Sequence, residues 1–359
     1  MSAATKAFTA SVLMLAVIAA PELSAQPGGP NLQFGGKIPP ELKRTYGLGL
    51  AYLQGSQDAS GSWSQNRSTS SSNQNGIDAL CILAILASGE DPNFGRFSAN
   101  IRRGLTRLVS QQDAQTGYFE SSMYNHGFCM LALAEAYGAV DESLLWAGTK
   151  VPPPKRRPLA RALELTVRCA TTSQDANPFG AWRYSPEARD ADTSVAGAVL
   201  MGLLAARNAG IQVPDGNMER ALEYFGLMTG PNGAVGYSGF GGGQSNSLAR
   251  SSIATLVFAI GKRKDSEPYE QTSEYIQNNL KQPTNAHFGE QYTSYYLAQA
   301  LFQSDYEAWS EWNTETLHML KNLQQPDGSF ASAYGKAFGT SMSLLALALN
   351  YRFLPIYER

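Results

Sequence analysis

The chain has 359 residues, 43% of them hydrophobic, and a net charge of −2 from 28 basic and 30 acidic side chains. That is enough apolar material for a large core, and no basic stripe or basic amphipathic face marks a nucleic-acid or membrane-surface binder. Cys81, Cys129 and Cys169 lie in or beside apolar helical runs without a framework-like spacing, so they read as core thiols rather than a disulfide scaffold.

Residues 1–25 read as a signal peptide. Lys6 precedes an uncharged apolar run from Ala7 to Ala20, and small residues end at Ala25. The run is short for a transmembrane helix. Cleavage near Ala25, export to the periplasm or the extracellular space, and no stable membrane span thereafter are expected; an uncleaved N-terminal anchor is the alternative. Residues 26–38 read as a flexible N-terminal segment, and 39–357 as a single domain.

From there, two kinds of helix alternate six times. Amphipathic stretches carry apolar residues at helical spacing, as in Ile101, Leu105, Leu108 and Val109, in Met218, Leu222, Phe225 and Met228, and in Trp312, Leu317, Leu320 and Leu323. The others are apolar nearly all round: "DALCILAILA" from Asp78, "FCMLALAEA" from Phe128, "VAGAVLMGLLAA" from Val195, "IATLVFAI" from Ile253, "YYLAQALF" from Tyr295 and "MSLLALAL" from Met342. A helix without a polar face must be covered on several sides.

Each pair is joined by a turn with glycine beside an aromatic: Gly61 with Trp63, Gly117 with Tyr118 and Phe119, Gly180 with Trp182, Gly236 with Tyr237, Gly289 with Phe288, and Gly328 with Phe330. Such a repeat predicts an all-α fold, a closed α/α toroid (α6/α6 barrel) of six hairpins with inner apolar and outer amphipathic helices. An open array should end in a polar terminal repeat, whereas the last helix, from Thr340 to Asn350, is among the most apolar. "VPPPKRRP", Val151 to Pro158, reads as a surface connection within the domain. "SGFGGGQSNS", Ser238 to Ser247, implies mobility or close backbone approach to a ligand.

The turns resemble the glutamine–tryptophan repeats of the squalene/hopene cyclases. Gln57 with Trp63 and Gln174 with Trp182 fit; Gln112 with Phe119 and Gln325 with Phe330 substitute another aromatic. That superfamily shares its toroid with protein prenyltransferase β subunits and complement-type thioester domains. "GAWRYSPEARDADTS" from Gly180, "YYLAQALFQSDYEAWSEWN" from Tyr295 and "YRFLPIY" look like exported bacterial "prenyltransferase/squalene oxidase repeat" proteins, a resemblance that implies the fold without an activity.

The relatives' chemistries leave different traces. A class II terpene cyclase resembles an acid–base machine with an Asp-x-Asp-Asp motif, for which "DADTS" offers Asp190 and Asp192 as general acid. Asp192 or Thr193 also suits the N-cap of the helix that follows. The prenyltransferase zinc motif Asp-x-Cys is missing, and His126 with Cys129 supplies at most two ligands, so no metal and no cofactor is expected. Phe288 stands where a thioester cysteine would be in Phe288-Gly289-Glu290-Gln291.

The polar starts of the inner helices are expected to converge at one rim of the central cavity. The candidates are Tyr124, Asn125, His126, Thr193, Arg250, Ser251, Tyr292, Tyr295 and Thr340; capping alone is the alternative role. The functional expectation is a non-hydrolytic ligand-binding or scaffold protein for an isoprenoid, peptide or glycan. An isoprenoid cyclase-like enzyme is second, and a toroidal polysaccharide lyase using Arg250, Tyr292 and His126 third. Oligomeric state is not legible.

Overall fold

A computed structural model describes residues 38–63, 73–239, 247–280 and 290–357. The signal peptide, most of the 26–38 segment, the Phe288–Gly289 turn and most of the Ser238–Ser247 loop lie outside the described residues. Ile38–Arg359 forms one compact unit. Among the described residues extended structure is limited to isolated bridges, and no helix is long and apolar enough to cross a membrane.

Six outer helices alternate with six inner ones. The outer set is α1 (Pro40–Ser56), α3 (Ser98–Gln111), α6 (Leu159–Asp175), α8 (Asp215–Met228), α10 (Glu267–Asn279) and α12 (Tyr306–Leu323). The inner set is α2 (Gln74–Leu86), α4 (Met123–Ala136), α7 (Thr193–Asn208), α9 (Leu248–Ile260), α11 (Glu290–Ser304) and α13 (Lys336–Leu347). A short helix, α5 (Glu142–Leu145), lies in the connection between the second and third hairpins. Each inner helix packs on the next, α2 on α4, α4 on α7, α7 on α9, α9 on α11 and α11 on α13, and α13 returns to α2. The fold is a closed α/α toroid.

Burial follows the two sequence patterns. On α7 every residue from Thr193 to Ala206 is buried, while on α3 the apolar stripe through Ile101, Leu105, Leu108 and Val109 is buried together with Ser98, Asn100, Gly104 and Thr106, and the rest is not. Two details differ from the expectation. On α12 the buried stripe runs through Trp309, Asn313, Thr316, Leu317 and Leu320, leaving Leu323 exposed. That set keeps the helical spacing expected from Trp309. On α11 the interior carries a polar stripe, Tyr292, Tyr295, Tyr296, Gln299 and Gln303, all buried at positions i, i+3, i+4, i+7 and i+11.

The turns are clasps between neighbouring units. Gln57 Nε2 donates to the carbonyl of Gly61 in its own turn and to Asn100 on the next outer helix, both at 3.0 Å. Gln112 repeats this with Gly117 and Ala162 at 3.1 and 2.8 Å, and Gln174 with Gly180 and Asn217 at 2.6 and 2.8 Å. In the last unit the residue is Gln324, not the expected Gln325. Gln324 Nε2 donates to Gly328 at 3.0 Å and to Thr45 on α1 at 2.9 Å, which closes the ring. The exposed side chain of Gln325 reaches only the carbonyl of Leu323, at 3.4 Å.

The fourth turn also shifts. Its glycine is Gly233 rather than Gly236: Gly233 has φ +75° and lies so close to α10 that a Cβ would sit 1.9 Å from the Gln271 carbonyl. Gly61 does the same against Arg103 on α3, with φ +90° and 2.3 Å. Only glycine combines that backbone with that approach. Val235 then takes the buried place that Trp63, Phe119, Trp182 and Phe330 hold in other turns. Trp63 and Trp182 fasten their own outer helices, their indoles donating to Leu53 and Ala170 at 2.7 and 2.8 Å. Cys81 and Cys129 are buried and Cys169 half-buried, all three free.

Candidate functional site

The N-terminal ends of the inner helices surround a cavity of ≈ 310 Å³. Its walls are Ile77 and Leu80 of α2, Tyr124 and Phe128 of α4, Val195 of α7, Tyr292 of α11, Phe338 of α13, and Tyr184 and Tyr334 from the turns. Polar groups are few and neutral: Asn73, Ser121, Ser122, Asn125 and Ser194. Gly76 opens the wall opposite Asn125, where a Cβ would come within 2.4 Å of Asn125 Oδ1. Asn125 Nδ2 is oriented by Ser121 Oγ at 2.6 Å.

The aromatic wall is a packed set. Tyr124 meets Phe128 edge-on at 5.1 Å and Tyr292 at 6.3 Å, and Tyr292 and Tyr295 flank Tyr296 at 5.0 and 4.7 Å. Burial raises the Tyr124, Tyr292 and Tyr296 phenols, and their mutual proximity and hydrogen bonding adjust each of them further. These rings stay neutral and present hydrocarbon faces with a few hydroxyl donors.

Of the nine residues expected to bind in the cavity, Tyr124, Asn125 and Tyr292 line it. Tyr295 is buried against Phe128 on the same wall. The others bind the turns instead. His126 Nδ1 accepts from the Phe119 amide at 3.3 Å, and its Nε2–H donates to the Thr166 carbonyl on α6 at 3.0 Å. Burial drives its pKa down to about 4, so the ring is neutral with both nitrogens engaged. Thr340 Oγ1 accepts the Phe330 amide at 3.0 Å, Ser251 Oγ donates to Gly233 at 3.0 Å, and Thr193 Oγ1 donates to Gly236 at 2.9 Å. Asp78 plays the same part, taking the Trp63 amide at 2.9 Å and pairing with Arg107 at 2.8 Å.

Arg250 Nε donates to the Val235 carbonyl at 2.8 Å, and its guanidinium lies over Tyr237 at 5.9 Å. Tyr292 acts on it electrostatically. The trio proposed for a lyase is therefore not assembled, because His126 is turned into the outer layer. Two ligands of a zinc site fall apart for the same reason: Cys129 Sγ lies 3.5 Å from the Asn75 carbonyl. No group of three or more His, Cys, Asp or Glu suited to a metal occurs among the described residues.

The two aspartates differ sharply. Asp190 is half exposed and pairs with Arg183. Asp192 is fully buried and is the N-cap of α7, its Oδ1 accepting from the Val195 amide at 2.8 Å. Its Oδ2 is buried without a hydrogen bond, with Arg183 Nε 3.9 Å away. Burial outweighs the Val195 amide and the Arg183 charge, lifting the carboxyl to about 6. Asp192 is not among the cavity-lining residues, although Ser194 and Val195 are.

Sequence reasoning missed Leu80, Phe128, Val195 and Phe338 as cavity walls. Helical phase carried the signal: Tyr124 and Phe128 are i, i+4 and share a face, whereas His126 lies about 200° round the helix from Tyr124.

No protein-family model and no curated protein matches the chain in sequence. Among solved structures, the type II terpene cyclase MstE from Scytonema superposes with a TM-score of 0.58 at 15% identity, over 88% of this chain and 99% of that one. The GH76A alpha-1,6-mannanase from Salegentibacter sp. HEL1_6 gives 0.62 at 9% identity, over 86% and 99%. An unsaturated glucuronyl hydrolase specific for heparin gives 0.57 at 12%, over 87% and 96%. The closed α/α toroid expected from the turns is the fold this chain has; at such identities the likeness is one of fold, shared between cyclases and glycosidases.

Proposed function

We propose that the chain is a binding protein that holds a short apolar, unsaturated chain of the isoprenoid class in its toroid. One observation carries this reading: the cavity walls are aliphatic and aromatic, and the polar groups among them are neutral amides and hydroxyls. Aromatic faces receive alkenes and methyl groups without desolvation cost. A glycan or a peptide would bring many polar groups needing partners, and unpaired ones are expensive to bury. The volume of ≈ 310 Å³ is at the small end of ligand cavities, suiting one end of a chain rather than a whole triterpene.

Native mass spectrometry of the purified protein, with its co-purified ligand extracted and identified, tests the reading. An isoprenoid whose retention is lost in Leu80→Trp, which fills the cavity, is the expected result. A hydrophilic glycan or peptide bound in the same place would overturn it. Export is part of the proposal, and N-terminal sequencing of protein recovered outside the cytoplasm should start near Gln26.

A second reading, an isoprenoid cyclase-like enzyme, rests on the buried Asp192 carboxyl held near 6, partly protonated at neutral pH, and requires the substrate to reach it past Ser194 and Val195, which line the cavity where Asp192 does not. Asn caps helices as well as Asp does. Asp192→Asn should therefore leave stability nearly unchanged and abolish turnover of any isoprenoid substrate. Full turnover in that variant ends the acid assignment.

A further inference from the structure

A second cleft lies at the opposite ends of the inner helices. It has a volume of ≈ 600 Å³ and is formed where the C-terminal turns of α2 and α4 meet the segment Phe353 to Pro355. Its lining includes three acidic residues, Glu90, Asp91 and Glu135, and two aromatic ones, Tyr137 and Phe353. No basic residue is among its described lining residues. The carbonyl ends of two helices add negative partial charge at this site.

Glu135 is the unusual member. It is only 5% exposed and sits in the last turn of α4, following the buried apolar run Leu131 to Ala134. Its Oε1 accepts the Ile356 amide at 3.2 Å. Its Oε2 is buried with no hydrogen-bond partner among the described residues. Burial pushes the carboxyl up to about 8. The groups whose charge it feels or affects are the phenols of Tyr295 and Tyr357, neither of which supplies a positive charge. A buried carboxyl with a vacant oxygen is costly, and such a group calls for a missing partner.

We propose that this cleft binds a primary ammonium group on an apolar stem, with Glu135 Oε2 as the counter-ion. The ammonium donates to Oε2 as Glu135 releases to solvent the proton that burial otherwise makes it keep, while Glu90 and Asp91 provide longer-range attraction at the mouth. Asp91 Oδ1 accepts the Asn93 and Phe94 amides at 2.8 and 3.0 Å, which hold its carboxyl below the usual range and keep it charged. Tyr137 and Phe353 offer ring faces to the cation and its stem. Phe353 is 55% exposed, an apolar surface that such a stem would cover.

The neighbouring guanidiniums already have partners: Arg102 donates to the carbonyl of the cleft's own Asn93 at 2.9 Å, and Arg352 lies over Phe302 at 4.9 Å. A metal ion is a poor occupant, since the described carboxyls do not converge as a ligand set. The cleft is independent of the isoprenoid reading and stands or falls without it.

Ligand-observed NMR on the full chain, with n-butylamine and n-butanol as matched probes, tests the proposal. Saturable amine binding at least ~10-fold tighter than that of the alcohol is expected, with a further loss of ~10-fold or more in Glu135→Gln. Tyr292→Phe, at the other end of the toroid, should leave amine binding unchanged while it bears on the apolar cavity. Should Glu135→Gln lose its helical circular dichroism, the exposed Glu90→Gln decides, with an expected weakening of several-fold. An acetylated tripeptide with a central lysine separates the two sources of the group: tighter binding than butylamine identifies a protein side chain, and weaker binding a small free amine. Equal binding of amine and alcohol, or unchanged affinity in both Glu variants, overturns the proposal.

Discussion

Two buried titratable side chains on α4 pull the pH dependence of stability in opposite directions. His126 resists protonation to about pH 4 in the folded chain, whereas an unfolded histidine takes a proton near 6.5. The unfolded state thus binds more protons in that window, and stability falls as pH drops through it. Glu135 keeps its proton to about pH 8 when folded but loses it near 4.5 when unfolded. There the native state binds more protons, and stability falls as pH rises. Glu135→Gln should remove a decline of roughly 3–5 kcal/mol between about pH 5 and 8. Urea midpoints at three pH values in that range measure it; an unchanged slope would show that Glu135 is not a protonated interior group. Neither role is visible in the sequence, where "HGFCMLALAEA" shows one histidine and one glutamate in an apolar run. The two differ in what meets them: a turn amide and an α6 carbonyl for His126, the Ile356 amide for Glu135.

At the scale of the element, the hairpin turn is the repeating device. A glutamine amide bridges its own turn and the next outer helix, and a residue of the following inner helix receives the turn's aromatic amide in several units. Gln324 and Gln325 form a natural control. Gln324→Ala removes two hydrogen bonds and should cost ~1–3 kcal/mol, while Gln325→Ala should stay within about 0.5 kcal/mol. Equal losses measured by chemical denaturation would show that the clasp is not the source of stability. The distinction was present in the sequence as a spacing: the clasping glutamines precede their glycines by four to six residues, whereas Gln325 is only three from Gly328. The shift from Gly236 to Gly233 was harder to see. No tryptophan marks that turn, and the close approach to Gln271 comes from a helix yet to follow in the chain.

The whole molecule is held by closure. Thr45 near the start accepts from Gln324 near the end, and α13 packs on both α1 and α2. In an open array each repeat contributes its own increment, so losing the last unit would shorten the array and leave the rest folded. In a closed ring the same loss uncovers α11 and α2 together. Deleting residues 306–347 should therefore abolish the cooperative urea transition, followed by circular dichroism. A residual sharp transition would indicate independently stable units.

The sequence by itself determined the helical hairpins, their inner or outer layer and the closed ring, because burial requirements are written into local periodicity. It also identified Tyr124, Asn125 and Tyr292 as cavity residues, since they open inner helices beside aromatic neighbours. Tertiary structure decided which face each polar starter presents. Thr193, Ser251, His126 and Thr340 turn outward to hold turns, and Asp192 caps α7 behind the cavity wall. It alone created the opposite cleft, because Glu135 and Ile356 lie 221 residues apart and meet only when the ring has closed. Local pattern fixes how much of a side chain is covered; which partner covers it depends on contacts made across the chain.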